Sequence, residues 1–353
     1  MTEAQNSEQD LRSAVAQFVE ESGVPAIAAS IIFEGKIIYG LSGVKKIGSP
    51  DPIDKSSKFQ LASNTKAITA TVAAGLVSDG LISWDSKLIE VLPELQESMN
   101  EGYLQVTLED LLSHRSFVAP FEEESSSEWR GMPLSIRDAE NQKLAFAQYA
   151  LIVAPSQKIK GSHLYSNGGY IIAALMMQKV SGKSWETLVE EFLSELSAQG
   201  YCGFPNQESS SGTYGHKKKG KTFRSIAANQ EVQLGGYFSP AGNFSIGIED
   251  FSKFVQAHLQ GLLGAGKILS SEMYRKMHYG LDDYSLGWYN GFIGDSNERF
   301  SYHGGSLGSY SSAVMLSPDR RVGIVILINA DGKRVTEMKN DLRVTLWDRF
   351  KNE

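Results

Sequence analysis

Apolar positions along this chain change their spacing twice. Near the start, Leu11, Val15, Phe18 and Val19 recur at threes and fours, which predicts a helix over Leu11–Glu21. Val24–Phe33 is then an Ile- and Ala-rich run that reads as a buried strand. Glu34-Gly35 predicts a two-residue hairpin turn into a second strand, Lys36–Leu41, so the chain begins with an antiparallel pair. From Ser63 to about Leu196 the spacing becomes helical, over Ser63–Asp79, Leu108–His114, Ile136–Leu151, Asn167–Val180 and Trp185–Leu196. After one more helix, Asp250–Leu263, strand patterns return at Ser285–Phe292, Arg299–His303, Ser309–Leu316 and Val322–Ala330. Pro318-Asp319-Arg320 turns the last pair into a hairpin, and an amphipathic helix, Arg334–Lys351, closes the chain with Met338, Leu342, Leu346, Trp347 and Phe350 along one stripe.

Strands at both ends with helices between them predict an α+β fold. One antiparallel sheet is built from both chain ends and flanked by helices, and a mainly helical domain is inserted into it. The expected division is an α/β lobe over about 10–62 and 232–353 and a helical lobe over about 63–231, together forming one catalytic unit. Two polar stretches, Glu122–Arg130 and Asn206–Lys221, read as surface loops.

Composition narrows the function classes. The chain has 353 residues, 41% of them hydrophobic, enough for a large core. Its net charge of −7 is spread along the chain, and the single basic cluster, Lys217–Lys221, is local, so no nucleic-acid partner is expected. The polar, acidic start lacks the apolar segment of a secretory signal, which leads us to expect a cytoplasmic protein. The longest apolar run, Ile171–Met177, is too short for a membrane span. The one cysteine, Cys202, reads as a small side chain at a helix-to-loop junction.

Three short motifs carry chemistry. In Phe59-Gln-Leu-Ala-Ser63-Asn-Thr-Lys66, an extended approach ends at Ser63 and a helix begins, so Lys66 stands one turn beyond Ser63 on the same face. A buried lysine loses proton affinity and can act as a base toward a hydroxyl. Ser42-Gly43-Val44-Lys45 has the same spacing, but it lies at a strand end with no helix behind it. Tyr165-Ser166-Asn167 precedes an apolar helix and offers a proton shuttle and a substrate-binding amide. His303-Gly304-Gly305-Ser306 ends one strand; its glycines let a substrate backbone approach, and His303 is placed to bond Tyr165 or the substrate. His278-Tyr279-Gly280 is discounted because Gly280 reads as a helix C-cap. Gly215–Thr222 fits the letters of a phosphate loop but lacks the preceding strand and following helix. No His-x-x-x-His pair is present, and neither a cofactor nor a metal is expected.

Ser63-x-x-Lys66, Tyr165-x-Asn167 and His303-x-Gly305, in this order, resemble the serine β-lactamase and penicillin-binding protein family, in its class C β-lactamase, DD-peptidase and D-amino-acid amidase branch. Val106–Ser116 is similar to that branch's Leu-Leu-x-His-x-Ser-Gly stretch, except that Phe117 stands where Gly is usual. His303-Gly304-Gly305 replaces the Lys-Thr-Gly of true β-lactamases and is similar to the His-x-Gly of some DD-peptidases and D-specific amidases. The resemblance implies that Ser63 attacks a carbonyl, that Lys66 and Tyr165 take and relay its proton, and that an acyl-enzyme forms. It also implies an oxyanion site between the backbone amides of Ser63 and Ser306, with Asn167, Gly304 and Gly305 contacting substrate. The expected substrate is a small amide, peptide or ester: D-amino-acid amidase or DD-peptidase-like first, carboxylesterase next, β-lactamase third. An acyltransferase, or a non-catalytic penicillin-binding relative, remains as the other class.

Overall fold

The structure, a computed structural model, describes residues 3–122, 126–133, 135–138, 141–156, 162–209, 212–292 and 298–352. Its main sheet has six strands: β1 (Ala26–Phe33), β2 (Lys36–Gly43), β8 (Tyr289–Phe292), β9 (Arg299–Leu307), β10 (Tyr310–Ser317) and β11 (Val322–Ile328). They lie in the order β2-β1-β11-β10-β9-β8, and every neighbouring pair is antiparallel. The two ends of the chain therefore meet at the β1–β11 pairing, where Ile27 faces Ile328 and Ile31 faces Ile324. Three short strands, β3 (Lys58–Gln60), β7 (Phe244–Gly247) and β4 (Gly200–Cys202), form a second sheet, and β5 (His216–Lys219) pairs with β6 (Thr222–Ser225).

Side chains in a strand alternate between faces, so the unbroken apolar run of β1 means that both faces are covered. Ile27, Ala29, Ile31 and Phe33 join Ile324, Ile326 and Ile328 under the first helix, Glu3–Ser22, and the last, Lys333–Phe350. Ala26, Ala28 and Ile32 face the other way, into a core shared with the Thr65–Ser78, Asn167–Ser181 and Ile248–Leu262 helices. Ser30 on that inner face is satisfied by Ser252 Oγ at 2.6 Å. The Glu34-Gly35 turn has both residues at positive φ, 48° and 77°, the geometry whose twist matches a tight hairpin.

Several expectations change. Ile136–Leu151 is two helices, Ser135–Asp138 and Gln142–Ala150, because the Asn141 side chain accepts from Leu144 N at 3.1 Å and starts the second one. Strand β8 begins only at Tyr289: Gly287 takes φ +82° and sits so close to the Lys66 carbonyl that a side chain there would crowd it. Strand β9 runs four residues further than expected, which brings Gly304, Gly305 and Ser306 inside the sheet. The stretch expected as a loop over Asn206–Lys221 contributes a helical turn and β5; positions 210–211 lie outside the described residues. Buried His216 anchors that hairpin: Nδ1 donates to Asn329 O at 2.7 Å and Nε2 accepts from Ile47 N at 3.1 Å. The Lys217–Lys221 cluster rides on it, so the phosphate-loop lookalike is a β-hairpin. In the Glu122–Arg130 loop, Ser127–Arg130 forms a helical turn and 123–125 lie outside the described residues. Cys202 ends β4 rather than a helix, and burial pushes its thiol up to about 11.

Candidate active site

Leu61–Ser63 is the joint between β3 and the Thr65–Ser78 helix. Ala62 adopts φ +50°, a conformation costing an alanine about 1 kcal/mol, and Ala62–Asn64 make a tight 3-10 turn before the α-helix begins. This joint leaves Ser63 partly exposed while its neighbours are buried. It is bolted to the sheet by one hydroxyl: Ser312 Oγ on β10 donates to Leu61 O at 2.6 Å and accepts from Asn64 Nδ2 at 2.6 Å. Gly305 on β9 fits against the same joint, since a Cβ there would collide with the Leu61 carbonyl and the Ser312 hydroxyl. Gly304, one residue earlier, has nothing within 4 Å of where a Cβ would sit.

Lys66 is fully buried, and its Nζ donates to Asn167 Oδ1 and Ala241 O, both at 2.6 Å, and lies 3.4 Å from Ser63 Oγ. Burial pushes the ammonium down to about 7, against a smaller opposing pull from Glu122. Two of its N–H groups satisfy the two short acceptors, and Ser63 Oγ is the third oxygen within its reach. Tyr165 shares a hydrogen bond with Ser63, and its ring lies 4.7 Å from Lys66 Nζ. Loss of solvent holds this phenol well above its ordinary range, so it stays protonated at neutral pH. Of the two groups beside Ser63, Lys66 is the one prepared to accept a proton and Tyr165 the one prepared to give one.

Asn167 starts the helix behind Tyr165. Besides holding Lys66, it donates through Nδ2 to Phe121 O at 2.8 Å, leaving one N–H for a substrate. The loop it bonds is strained: His114, Phe117 and Phe121 all have positive φ, 61°, 58° and 50°. Phe117 thus adopts the left-handed conformation that a glycine would take more easily, with its ring buried. His114 accepts from Ser166 N at 3.1 Å and packs its ring 4.3 Å from that of Tyr165, which fixes the phenol from behind.

His303 is placed differently from the sequence expectation. Its Nδ1 meets Gly304 O at 2.8 Å and its Nε2 meets Tyr284 OH at 3.1 Å, so both ring nitrogens are engaged. Its centroid is 6.4 Å from that of Tyr165, and the expected bond between them is not made. Burial and the nearby Lys66 push the imidazole down to about 3. His303 therefore shapes the wall beside Ser63 as a neutral group. Strand alternation turns the Ser306 side chain to the other face, where Oγ donates to Asp331 Oδ2 at 2.7 Å, so only the Ser306 backbone serves the Ser63 side.

Sequence reasoning missed Asn64, Ser312, Ala241, Tyr284 and Lys339. Only Lys339 left a signal: with Val335, Leu342 and Leu346 it falls on the buried stripe of the last helix. Among the described residues no helix is long and apolar enough to cross a membrane.

A serine–lysine–tyrosine cluster between an antiparallel sheet and a helical layer defines a class of protein, and the comparisons give it a family. The Beta-lactamase family model matches residues 11–346, and the chain belongs to that family. It is 21% identical to Protein flp of Staphylococcus aureus across 97% of this chain and 67% of that protein. The fold is similar to that of a D-alanine carboxypeptidase AmpC from Burkholderia cenocepacia, with TM-score 0.75, 19% identity, and 97% and 99% of the two chains covered. It is also similar to an octameric penicillin-binding protein homologue from Pyrococcus abyssi, with TM-score 0.72, 21% identity, and 92% and 74% covered.

Proposed function

We propose that this protein is a serine hydrolase that cleaves a small amide, peptide or ester through an acyl-enzyme on Ser63. The observation that carries this is the environment of Lys66: buried, lowered to about 7, and holding two short acceptors while facing Ser63 Oγ at 3.4 Å. In acylation, Ser63 Oγ bonds to the substrate carbonyl carbon and its proton passes to Lys66 Nζ. The carbonyl oxygen takes the negative charge between the backbone N–H groups of Ser63 and Ser306. When the carbonyl re-forms, the leaving nitrogen or oxygen takes a proton from Tyr165, which is resupplied from Lys66. Water then enters, gives its proton to the same pair and bonds to the acyl carbon, and Ser63 Oγ leaves as a hydroxyl by taking that proton back.

The substrate class follows from the strand edge. Neutral His303 supplies no cation to hold a carboxylate, which favours uncharged substrates, D-amino-acid amides first and then esters, over penicillin-like ones. The similarity to a D-alanine carboxypeptidase is what keeps short peptides beside the amides in this order. The test is intact-protein mass after incubation with benzylpenicillin, together with turnover of a D-amino-acid p-nitroanilide and p-nitrophenyl acetate, for the wild type and Ser63→Ala. A penicilloyl adduct or turnover that disappears in Ser63→Ala is the expected result. No adduct and no turnover above the Ser63→Ala background would overturn the reading.

A further inference from the structure

Lys339 is a lysine buried beneath the sheet, with 5% of its surface exposed. Its Nζ donates to Gly305 O at 3.1 Å and to Ser312 O at 3.0 Å. Gly305 and Ser312 are register partners on β9 and β10, and for one ammonium to reach both carbonyls, both must point into the space between the two strands. A trans peptide is planar, with its C=O and N–H directed oppositely. The N–H at the other end of the Gly305 peptide, that of Ser306, therefore points out of the far edge of β9. On that edge the pairing with β8 stops at Tyr302 opposite Tyr289, and among the described residues no strand covers His303–Leu307. The Ser63 joint packs against Gly305 on this stretch.

We infer that Lys339 is a positioning residue for the oxyanion: its ammonium, held on the Gly305 carbonyl, orients and polarises the peptide whose opposite end is the Ser306 N–H. This rests on the serine hydrolase reading above. A cation on a carbonyl oxygen draws electron density through the amide and makes its N–H a stronger donor, an effect that water does not screen at a buried site. The ammonium would act when negative charge develops on the substrate and much less before, so it bears on kcat more than on KM. The charged and titratable groups around it are Asp331, which supports the ammonium, Arg343 on its own helix, which opposes it, and Tyr302 and His303 on β9. Burial pushes Lys339 down to about 8, so the charge is present at neutral pH and lost above it.

The experiment uses p-nitrophenyl acetate turnover and inhibition by phenylboronic acid, whose Ser63 adduct is tetrahedral and anionic. Lys339→Met should lower kcat roughly tenfold, less than loss of a direct oxyanion donor, with KM changed under about twofold and the boronate weakened by the same factor as kcat. Lys339→Arg should recover most of the loss. The fall in wild-type turnover above about pH 8 should be absent from Lys339→Met. If Lys339→Met does not fold, Lys339→Gln keeps one donor without the charge and should show the same loss. Folded neutral variants with wild-type kcat, Arg losing as much as Met, or an unchanged alkaline fall would each overturn the inference. If Ser63→Ala is as active as the wild type, the hydrolase reading fails and takes this one with it; if only the Lys339 variants match the wild type, this one fails alone.

Discussion

Acid should unfold this protein unusually early. Five of its six histidines, His114, His216, His258, His278 and His303, are buried, and each is pushed below the ordinary imidazole value chiefly by burial. Their hydrogen bonds explain why the folded protein has no place for extra protons. His216 Nε2 and His114 Nδ1 already accept backbone N–H groups. His258 and His278 belong to a one-way chain. Thr71 Oγ1 donates to Ala67 O, so it must accept from His258 Nε2. His258 Nδ1 then accepts from His278 Nε2 at 2.8 Å, and His278 Nδ1 accepts from Ser301 Oγ at 2.5 Å. A proton on either ring turns the Ser301 hydroxyl from donor to acceptor and leaves a charge buried among apolar groups.

The unfolded chain has ordinary histidines near pH 6.5 and takes up protons there, whereas in the folded chain His216 resists until about pH 4 and His258 and His303 until about 3. Lowered folded values mean that this stability is complete above the unfolded value and is lost as pH falls through the gap. Each of these three then loses about 1.4 kcal/mol by pH 5.5, about 4 kcal/mol together, with His114 and His278 acting in the same direction, against a typical total of about 5–15 kcal/mol. Glu231, raised by burial, works in the opposite direction, but it is one carboxyl against five rings. Urea unfolding followed from pH 8 to 5 should show an uptake approaching five protons on unfolding, with loss of the folded state near pH 5–5.5. His216→Asn should reduce the uptake by about one. An uptake below about two protons between pH 6 and 5, or a fold persisting at pH 4, would refute the argument.

Because Lys66 must be neutral to act, kcat/KM should rise with pH through about 7, and Lys66→Arg, which cannot deprotonate, should lose more than about 10³-fold in the same assay without losing the fold. Ser312→Ala strips the partner from Leu61 O and Asn64 Nδ2 in a buried site; we expect about 1–3 kcal/mol lower stability by urea unfolding and a lower kcat. Gly305→Ala drives a methyl into the Leu61 carbonyl and should reduce turnover at least about tenfold, whereas Gly304→Ala, with open space around it, should stay within about twofold. Equal effects at 304 and 305 would contradict the described packing of β9 on the Ser63 joint.

The parts of this molecule legible in its sequence are those governed by local periodicity. The double-faced apolar runs of β1 and β11, the Glu34-Gly35 turn and the placing of Ser63 ahead of a helix all follow from neighbours within a few residues. The helical spacing across 167–181 and 185–195 was equally plain. What escaped depends on partners far apart in the chain. Lys66 is tuned by Asn167, 101 residues away, and by a backbone carbonyl at Ala241, 175 away, and a carbonyl leaves no trace in residue identity. The left-handed conformations at Ala62, His114, Phe117 and Phe121 were hidden for a related reason, since none is a glycine and tertiary packing alone imposes them. Of the two contacts expected of His303, the bond to Tyr165 is not made, because Tyr284, which no motif marks, meets its Nε2 instead.

Seen from the chemistry, the site is assembled from three backbones held in fixed relation. In the proposed mechanism the Ser63 joint supplies one amide and β9 another, and the Ala241 turn holds Lys66 through its carbonyl. Two side chains fasten these backbones to one another: Ser312 joins the Ser63 joint to β10, and Lys339 joins β10 to β9. Neither has to touch substrate to govern the proposed reaction, because an error of about 1 Å in the placing of an oxyanion donor can lower the rate about 10²-fold, close to losing that donor outright. The strain at Ala62 fits the same scheme. A relaxed turn there would let Ser63 drift from Gly305, so the roughly 1 kcal/mol stored in its φ is sustained by the Ser312 bonds and the contact with β9.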